Sequence, residues 1–224
     1  MRTYNLISAN PTQLTRALLF KLLACLCYGG IHVLTQCIAR NPLGSPPSIY
    51  QVIFVQYSLA LLMMVPWAYH HRRAITHPIN PNLLALRGLC GFLGLVFLYA
   101  SFAVMTIAQA FSITSASPFI TLLGAKFFLG ETLDRTRLIA IAIGLFGTYL
   151  ATVGSLSWLP HYVNPSHLLY LTLPIASALF FSLTTLIGRQ IGQRGESNIN
   201  MALWVMLYIP LFSAPMTVTH WTSL

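Results

Sequence analysis

AQAFSITSASPFITLLGAKFFLGETL, from Ala108 to Leu133, is the stretch on which the fold turns. It carries no charge between Ala108 and Ala125, then a single Lys126, an apolar rim and Gly130-Glu131. A helix at a soluble surface would carry charges along one face for its whole length. At about 1.5 Å per residue, roughly 20 such residues cross the ~30 Å hydrocarbon layer of a bilayer. Pro118 removes a backbone donor in the middle of the expected helix. In lipid that is tolerated only where neighbouring helices, hydroxyls or water satisfy the freed carbonyl. The stretch is therefore expected to pack inside a bundle and to face a cavity.

Composition extends this reading to the whole chain. Of its 224 residues 56% are hydrophobic and only 7% charged, with a mean hydropathy of +0.72. Soluble domains carry about 25% charged residues, so the chain reads as a polytopic membrane protein. Its net charge of +9 would suggest nucleic acid in a soluble protein. Here the basic residues fall between apolar runs and are read as topology determinants facing lipid headgroups, with no nucleic-acid partner. Cys25, Cys27, Cys37 and Cys90 lie in or beside apolar runs and are read as buried small hydrophobes, not as a disulfide or metal set. No cleavable leader is expected.

Seven spans are expected, about 15–37, 49–69, 82–104, 108–129, 138–156, 167–188 and 199–220, the last broken by Pro210 and Pro215. The divisions are a cytoplasmic tail at 1–14, a five-helix unit at 15–160 and a partial second unit of two helices at 161–224. With the N-terminus in the cytoplasm, eleven Lys and Arg residues fall on the cytoplasmic side and only Arg40 on the other, the bias that sets orientation. Leu34-Thr35-Gln36-Cys37-Ile38-Ala39-Arg40 is repeated as Leu183-Thr184-Thr185-Leu186-Ile187-Gly188-Arg189, and at the same offset Pro66 meets Pro215. Five spans separate the copies. The second therefore enters the membrane upside down, an inverted repeat of the kind used for alternating access.

The sequence resembles the drug/metabolite transporter superfamily, in particular its EamA-type permeases. The resemblance rests on Leu86-Arg87-Gly88, on Phe97-Leu98-Tyr99, on Ala110 and Ser117-Pro118-Phe119, on Phe128-Leu129-Gly130-Glu131-Thr132, and on Gly144 and Gly147. It implies an inner-membrane carrier of small metabolites with ten helices in two inverted five-helix halves. Against that pattern this chain holds one complete EamA-like unit and the first two helices of another, as if truncated at its C-terminus.

Candidate contacts with a solute follow from polar residues in apolar spans. Tyr28, His32 and Gln36 stand at successive i+4 steps, on one stripe of span one. In lipid such a stripe must face protein or water. His32 is the one side chain near mid-depth of a type that titrates near neutrality, hence the candidate proton carrier. Span four offers Gln109, Ser112, Ser115, Ser117 and Thr121, and span three Tyr99. The plainer reading of the hydroxyls is a bond to the backbone one turn back. Arg87 and Lys126 are read as snorkelling to headgroups. Gly88, Gly91 and Gly94, and Ala140 with Gly144, are read as surfaces for close helix contact.

All three carboxylates, Glu131, Asp134 and Glu196, fall in expected cytoplasmic loops. No paired acids, metal-ligand cluster or phosphate loop is present, so neither an enzyme nor a cofactor is expected. A buried carboxylate to hold a lipophilic cation is also missing, which favours neutral, zwitterionic or anionic solutes. The reading is an all-α transmembrane bundle acting as a secondary carrier of small metabolites, its partners the bilayer and the solute. If the short chain is complete, a homodimer would have to close the cavity. The alternative is a non-transporting membrane subunit or an inactive remnant of such a carrier.

Overall fold

The structure, a computed structural model, describes residues 11–39, 47–70, 78–130, 135–156 and 165–221. Among these there are eight helices and no strand: α1 Pro11–Ala39, α2 Ile49–His70, α3 Pro81–Val104, α4 Ile107–Thr114, α5 Ser117–Leu129, α6 Arg135–Leu156, α7 Pro165–Gln193 and α8 Asn198–Thr219. Six segments are long and apolar enough to cross a membrane, with α4 and α5 together forming one of them. The protein is thus a polytopic helical membrane bundle. The expected fifth span falls on α6, a 22-residue helix that is not one of those six.

Proline sets many of the boundaries. α1, α3 and α7 open on Pro11, Pro81 and Pro165, where the missing N–H is one the helix start leaves unbonded in any case. Pro118 is used in the same way: the expected span stands as one membrane-crossing segment, Ile107–Phe128, but it is built from two helices and not one. α4 ends at Thr114, Ser115 and Ala116 turn, and α5 starts with Pro118 in its first turn. Pro210 and Pro215 behave in the opposite manner. α8 runs unbroken through both, where the sequence suggested a break. Pro210 is buried with Ile209, Ser213 and Thr217 against neighbouring helices, and that packing holds the helix together. Glycine supplies two turns. Gly130, at φ 64°, closes α5, and Gly195, at φ 93°, turns the chain from α7 into α8.

α3 is the axis of the bundle. Half of its span is buried, against 6% for α1. Gly88, Gly91 and Gly94 form the close-contact edge the sequence suggests. A Cβ added to Gly88 would fall 2.5 Å from Tyr208 Cβ, and one on Gly94 would fall 2.9 Å from the Phe181 ring. The order of these contacts shows that α3 and α7 run antiparallel. Arg87 meets Gly188, Gly91 meets Thr184, and Phe97 stacks on Phe180. α2 and α8 are also paired antiparallel, since Tyr50 at the start of one stacks on His220 past the end of the other. Gly144 of α6 lies against Phe119 of α5. The core follows from these pairings: Ile53, Phe92, Leu95, Leu98, Tyr99, Phe102, Ala110 and Ile209 form one buried cluster, and Leu84, Ile191 and Met201 a second.

Exposure elsewhere matches a bundle that lipid surrounds. Leu18, Leu22, Leu26, Leu62, Met63, Phe127, Phe128 and Ile143 all present their side chains outward. In water such a surface would drive association; in hydrocarbon it is the expected face. The four cysteines are free, but only Cys90 is buried. Cys25, Cys27 and Cys37 stand on the exposed face of α1, so the expectation of buried thiols fails for these three. The reason is that α1 lies at the edge of the bundle and not within it.

Candidate functional site

Where α1 approaches α3 and α4, one polar side chain is sealed inside aromatic rings. His32 is 1% exposed. Its ring lies edge-on to Tyr28 at 4.4 Å, Phe111 at 4.7 Å, Tyr99 at 5.9 Å and Phe102 at 6.0 Å between centroids. Tyr28 comes from the preceding turn of α1, Tyr99 and Phe102 from α3, and Phe111 from α4. Neither His32 Nδ1 nor Nε2 meets a hydrogen-bond partner among the described residues. Leaving a buried polar group unbonded costs about 1–3 kcal/mol, so the arrangement calls for an explanation.

A second polar layer lies behind the rings. The Tyr99 hydroxyl donates to Gln56 Oε1 on α2 at 2.7 Å. Thr35, one turn from His32, stands beside that phenol and returns its own hydroxyl to the Ile31 carbonyl at 2.8 Å. Tyr57 packs against the same cluster. Four helices, α1 to α4, therefore converge on one aromatic and amide-lined centre. His32 and Tyr99 each sit about 10 Å past the middle of their helices by helical rise.

The other expected contacts are distributed differently. Gln109 serves the start of α4, where its side chain and that of Thr106 bond each other's backbone N–H in a reciprocal cap. Ser112 donates to the Ala108 carbonyl, Ser115 to Phe111 and Thr121 to Ser117, each one turn back at 2.6–2.8 Å. The plain reading of these hydroxyls therefore describes them. Ser117 contributes through its carbonyl, which also accepts from Ser182 of α7 at 2.8 Å and ties the broken helix to the partner unit. Gln36 lies on α1, and its side chain is outside the described residues. The helix break and its α7 tie are what the sequence suggested as a cavity wall. The groove of about 210 Å³ between α5 and α7 lies elsewhere, lined by Phe128, Leu183, Leu186, Ile187 and Gln190.

Sequence reasoning missed Gln56, Thr35, Tyr57, Phe102 and Phe111. A lone amide at Gln56 in an apolar span was the one available signal. The phenylalanines read as ordinary core.

Fold and site together define a multi-pass helical membrane protein with a polar cluster shut inside its bundle and, among the described residues, no group of His, Cys, Asp or Glu fit to hold a metal. The comparison with known proteins makes this more specific. The chain belongs to the EamA-like transporter family, which matches residues 15–153. It is 23% identical over 183 residues to the S-adenosylmethionine uptake transporter of Rickettsia felis, covering 81% of this chain and 58% of that protein. It is 26% identical over 205 residues to the riboflavin transporter of Rhizobium johnstonii, covering 90% of this chain and 63% of that protein. The chain thus spans about three-fifths of the length of the curated relatives it matches. No solved structure matches it. Family and relatives are transporters and not enzymes, in agreement with the sequence reading.

Proposed function

We propose that the chain works as a secondary carrier of small metabolites, by alternating access, with the His32 centre as its solute contact. The observation that carries this is the imidazole, sealed by four rings with both nitrogens unbonded. A fold that needed only packing would place a phenylalanine there. A carrier gains from the imidazole once a solute enters and offers it a donor or an acceptor. Tyr28 is 44% exposed while the other three rings are half-buried or buried, so Tyr28 is the ring that an entering solute would meet first.

The alternating-access part draws on the antiparallel pairing of α2 with α8. Through Pro66 and Pro215 these two helices correspond in the sequence repeat, as α1 and α7 do through their heptapeptides, and opposite directions are what an inverted pair requires. Thr35 and Thr184, equivalent in the repeat, make the same bond to the carbonyl four residues back. The break between α4 and α5 gives a discontinuous helix of the kind carriers use at their sites. The Lys and Arg bias supports an N-terminus in the cytoplasm, and the family resemblance supports a place in the inner membrane.

The solute class follows from the walls. Four aromatic rings suit a flat ring system, which stacks on Tyr and Phe, while His32 and the Tyr99–Gln56 pair take its polar edge. S-adenosylmethionine and riboflavin, named for the two relatives, both carry a fused nitrogen heterocycle. A positive charge on such a solute would be met by ring faces. The buried Glu196 sits at the α7–α8 junction, away from the rings and already bonded.

The test is uptake of radiolabelled S-adenosylmethionine and riboflavin by liposomes holding the purified chain. Accumulation above protein-free liposomes is expected for at least one, reduced about tenfold or more by His32→Ala, as loss of one buried hydrogen bond implies. No accumulation of either by the wild type would remove the carrier reading. It would favour the alternative, a non-transporting membrane subunit or an inactive remnant, which draws its support from the share of the relatives' length that the chain spans.

A further inference from the structure

A second buried polar group lies about 18 Å along α3 from Tyr99 by helical rise, toward the opposite end of the bundle. Arg87 projects from α3 onto α7. Its Nε and Nη1 are shut from solvent and meet no acceptor among the described residues. A guanidinium is charged at every relevant pH, has five donors and accepts nothing. An arginine that snorkels does the reverse of what is seen here: it buries its stem and sends the head to water.

The head has a seat. A Cβ at Gly188 would fall 3.1 Å from Arg87 Cζ and Nε and 3.3 Å from Nη2. The missing side chain at Gly188 leaves room for the guanidinium against the backbone of α7, and a methyl there would crowd it by a few tenths of an ångström. The residue as a whole is half-buried, and Nη2 is not one of the sealed atoms. Glu196, the buried acid at this end of the bundle, is taken up by the Ile79 N–H and the Asn200 amide. Glu196 is the only acid among the described residues, so within them Arg87 has no counter-charge, and a desolvated cation so placed is among the least favourable arrangements in a fold.

We infer that Arg87, seated on Gly188, is a binding site for a phosphate-type oxyanion that enters the seam between α3 and α7, brought either by a lipid headgroup or by a soluble solute. The planar donors of Arg87 make charge-assisted bonds to such an oxyanion. A charged bond of this kind supports a preference of about tenfold or more over a neutral ligand. The inference is independent of the carrier reading, since none of its readouts is transport.

The experiment uses the full chain in phosphatidylcholine nanodiscs. One arm adds phosphatidylglycerol and measures lipid retained on the protein by native mass spectrometry. The other adds inorganic phosphate and follows thermal unfolding. Arg87→Gln removes the charge, Arg87→Lys keeps it without the planar fork, and Gly188→Ala keeps the arginine but crowds its seat. Retention of phosphatidylglycerol by the wild type, lost in Arg87→Gln and reduced in Gly188→Ala and Arg87→Lys, identifies a headgroup. Stabilisation by phosphate with the same dependence identifies a soluble anion. Equal behaviour of wild type, Gly188→Ala and Arg87→Lys in both arms overturns the inference, even if Arg87→Gln fails to fold.

Discussion

Tyr50 and His220 stack ring on ring, with centroids 5.9 Å apart and planes 28° from parallel, although one opens α2 and the other follows the end of α8. That contact fixes the two helices as antiparallel neighbours. It predicts that cysteines placed at 50 and 220, in a background without the native thiols, cross-link through a short bismaleimide. Cysteines at 50 and 199, at opposite ends of the bundle, should not. If both pairs link equally well, the pairing described here is wrong, and the inverted-repeat reading loses its structural support.

The glycine edge of α3 predicts a graded series. At Gly88 an added methyl meets Tyr208 Cβ at 2.5 Å, an atom fixed to its backbone. At Gly124 it meets Leu186 Cδ1 at the same distance, the far end of a chain that can rotate away. Gly88→Ala is expected to destabilise by about 1–3 kcal/mol through overpacking. Gly124→Ala should be near neutral, because the ~1 kcal/mol gain in helix propensity offsets a small repacking cost. Unfolding in a mixed-detergent titration measures both, and a larger loss at Gly124 would contradict the packing given for α5 and α7.

The helices were legible because the chain states them plainly. Apolar runs of about 20 residues have few alternatives in a bilayer, and Gly88, Gly91 and Gly94 mark a contact face by their spacing alone. The role of each proline was harder to read. Whether Pro118 kinks a helix or starts one depends on what holds the flanking ends; the Thr106–Gln109 cap is local and legible as a T-x-x-Q box, but the Ser182 bond to the Ser117 carbonyl is a tertiary fact. The run Ser115-Ala116-Ser117-Pro118 did carry a helix-start signal, a serine just ahead of a proline. For Pro210 and Pro215 the same uncertainty resolved the other way, because α8 is held on its buried face. Within the site, Tyr28 and His32 share a stripe that periodicity reveals. Their partners Gln56, Phe102 and Phe111 come from three other helices, and no local pattern links them.

His32 gives a prediction in which stability and function move apart. Phenylalanine matches the ring and removes two nitrogens that find no partner among the described residues. His32→Phe is expected to leave stability unchanged or raise it by about 1 kcal/mol, since replacing an unsatisfied buried group with an apolar one of like shape relieves its desolvation cost. Solute binding should fall at the same time, the pattern of a site held at some expense to the fold. A clear loss of stability in His32→Phe would mean that the imidazole is bonded within the protein, and the site would lose its main argument.

At the other end of the bundle, Glu196 joins the start of α3 to the α7–α8 junction. It is 6% exposed, and it accepts from the Ile79 backbone N–H at 2.8 Å and from Asn200 Nδ2 at 2.5 Å. Arg194 adds an exposed bond to Asn80 Oδ1 at 3.2 Å. Glu196→Ala leaves a buried amide and a backbone N–H without their acceptor, and a loss of about 1–3 kcal/mol is expected. Arg194→Ala, at the surface, should stay within about 0.5 kcal/mol. Hydrogen exchange separates a local clamp from a general weakening. In Glu196→Ala the amides at 79–84 should exchange faster while those of the α3–α7 seam near Gly94 keep their protection. If protection is lost evenly along α3, the carboxylate supports the whole bundle and is not a clamp at one end of it.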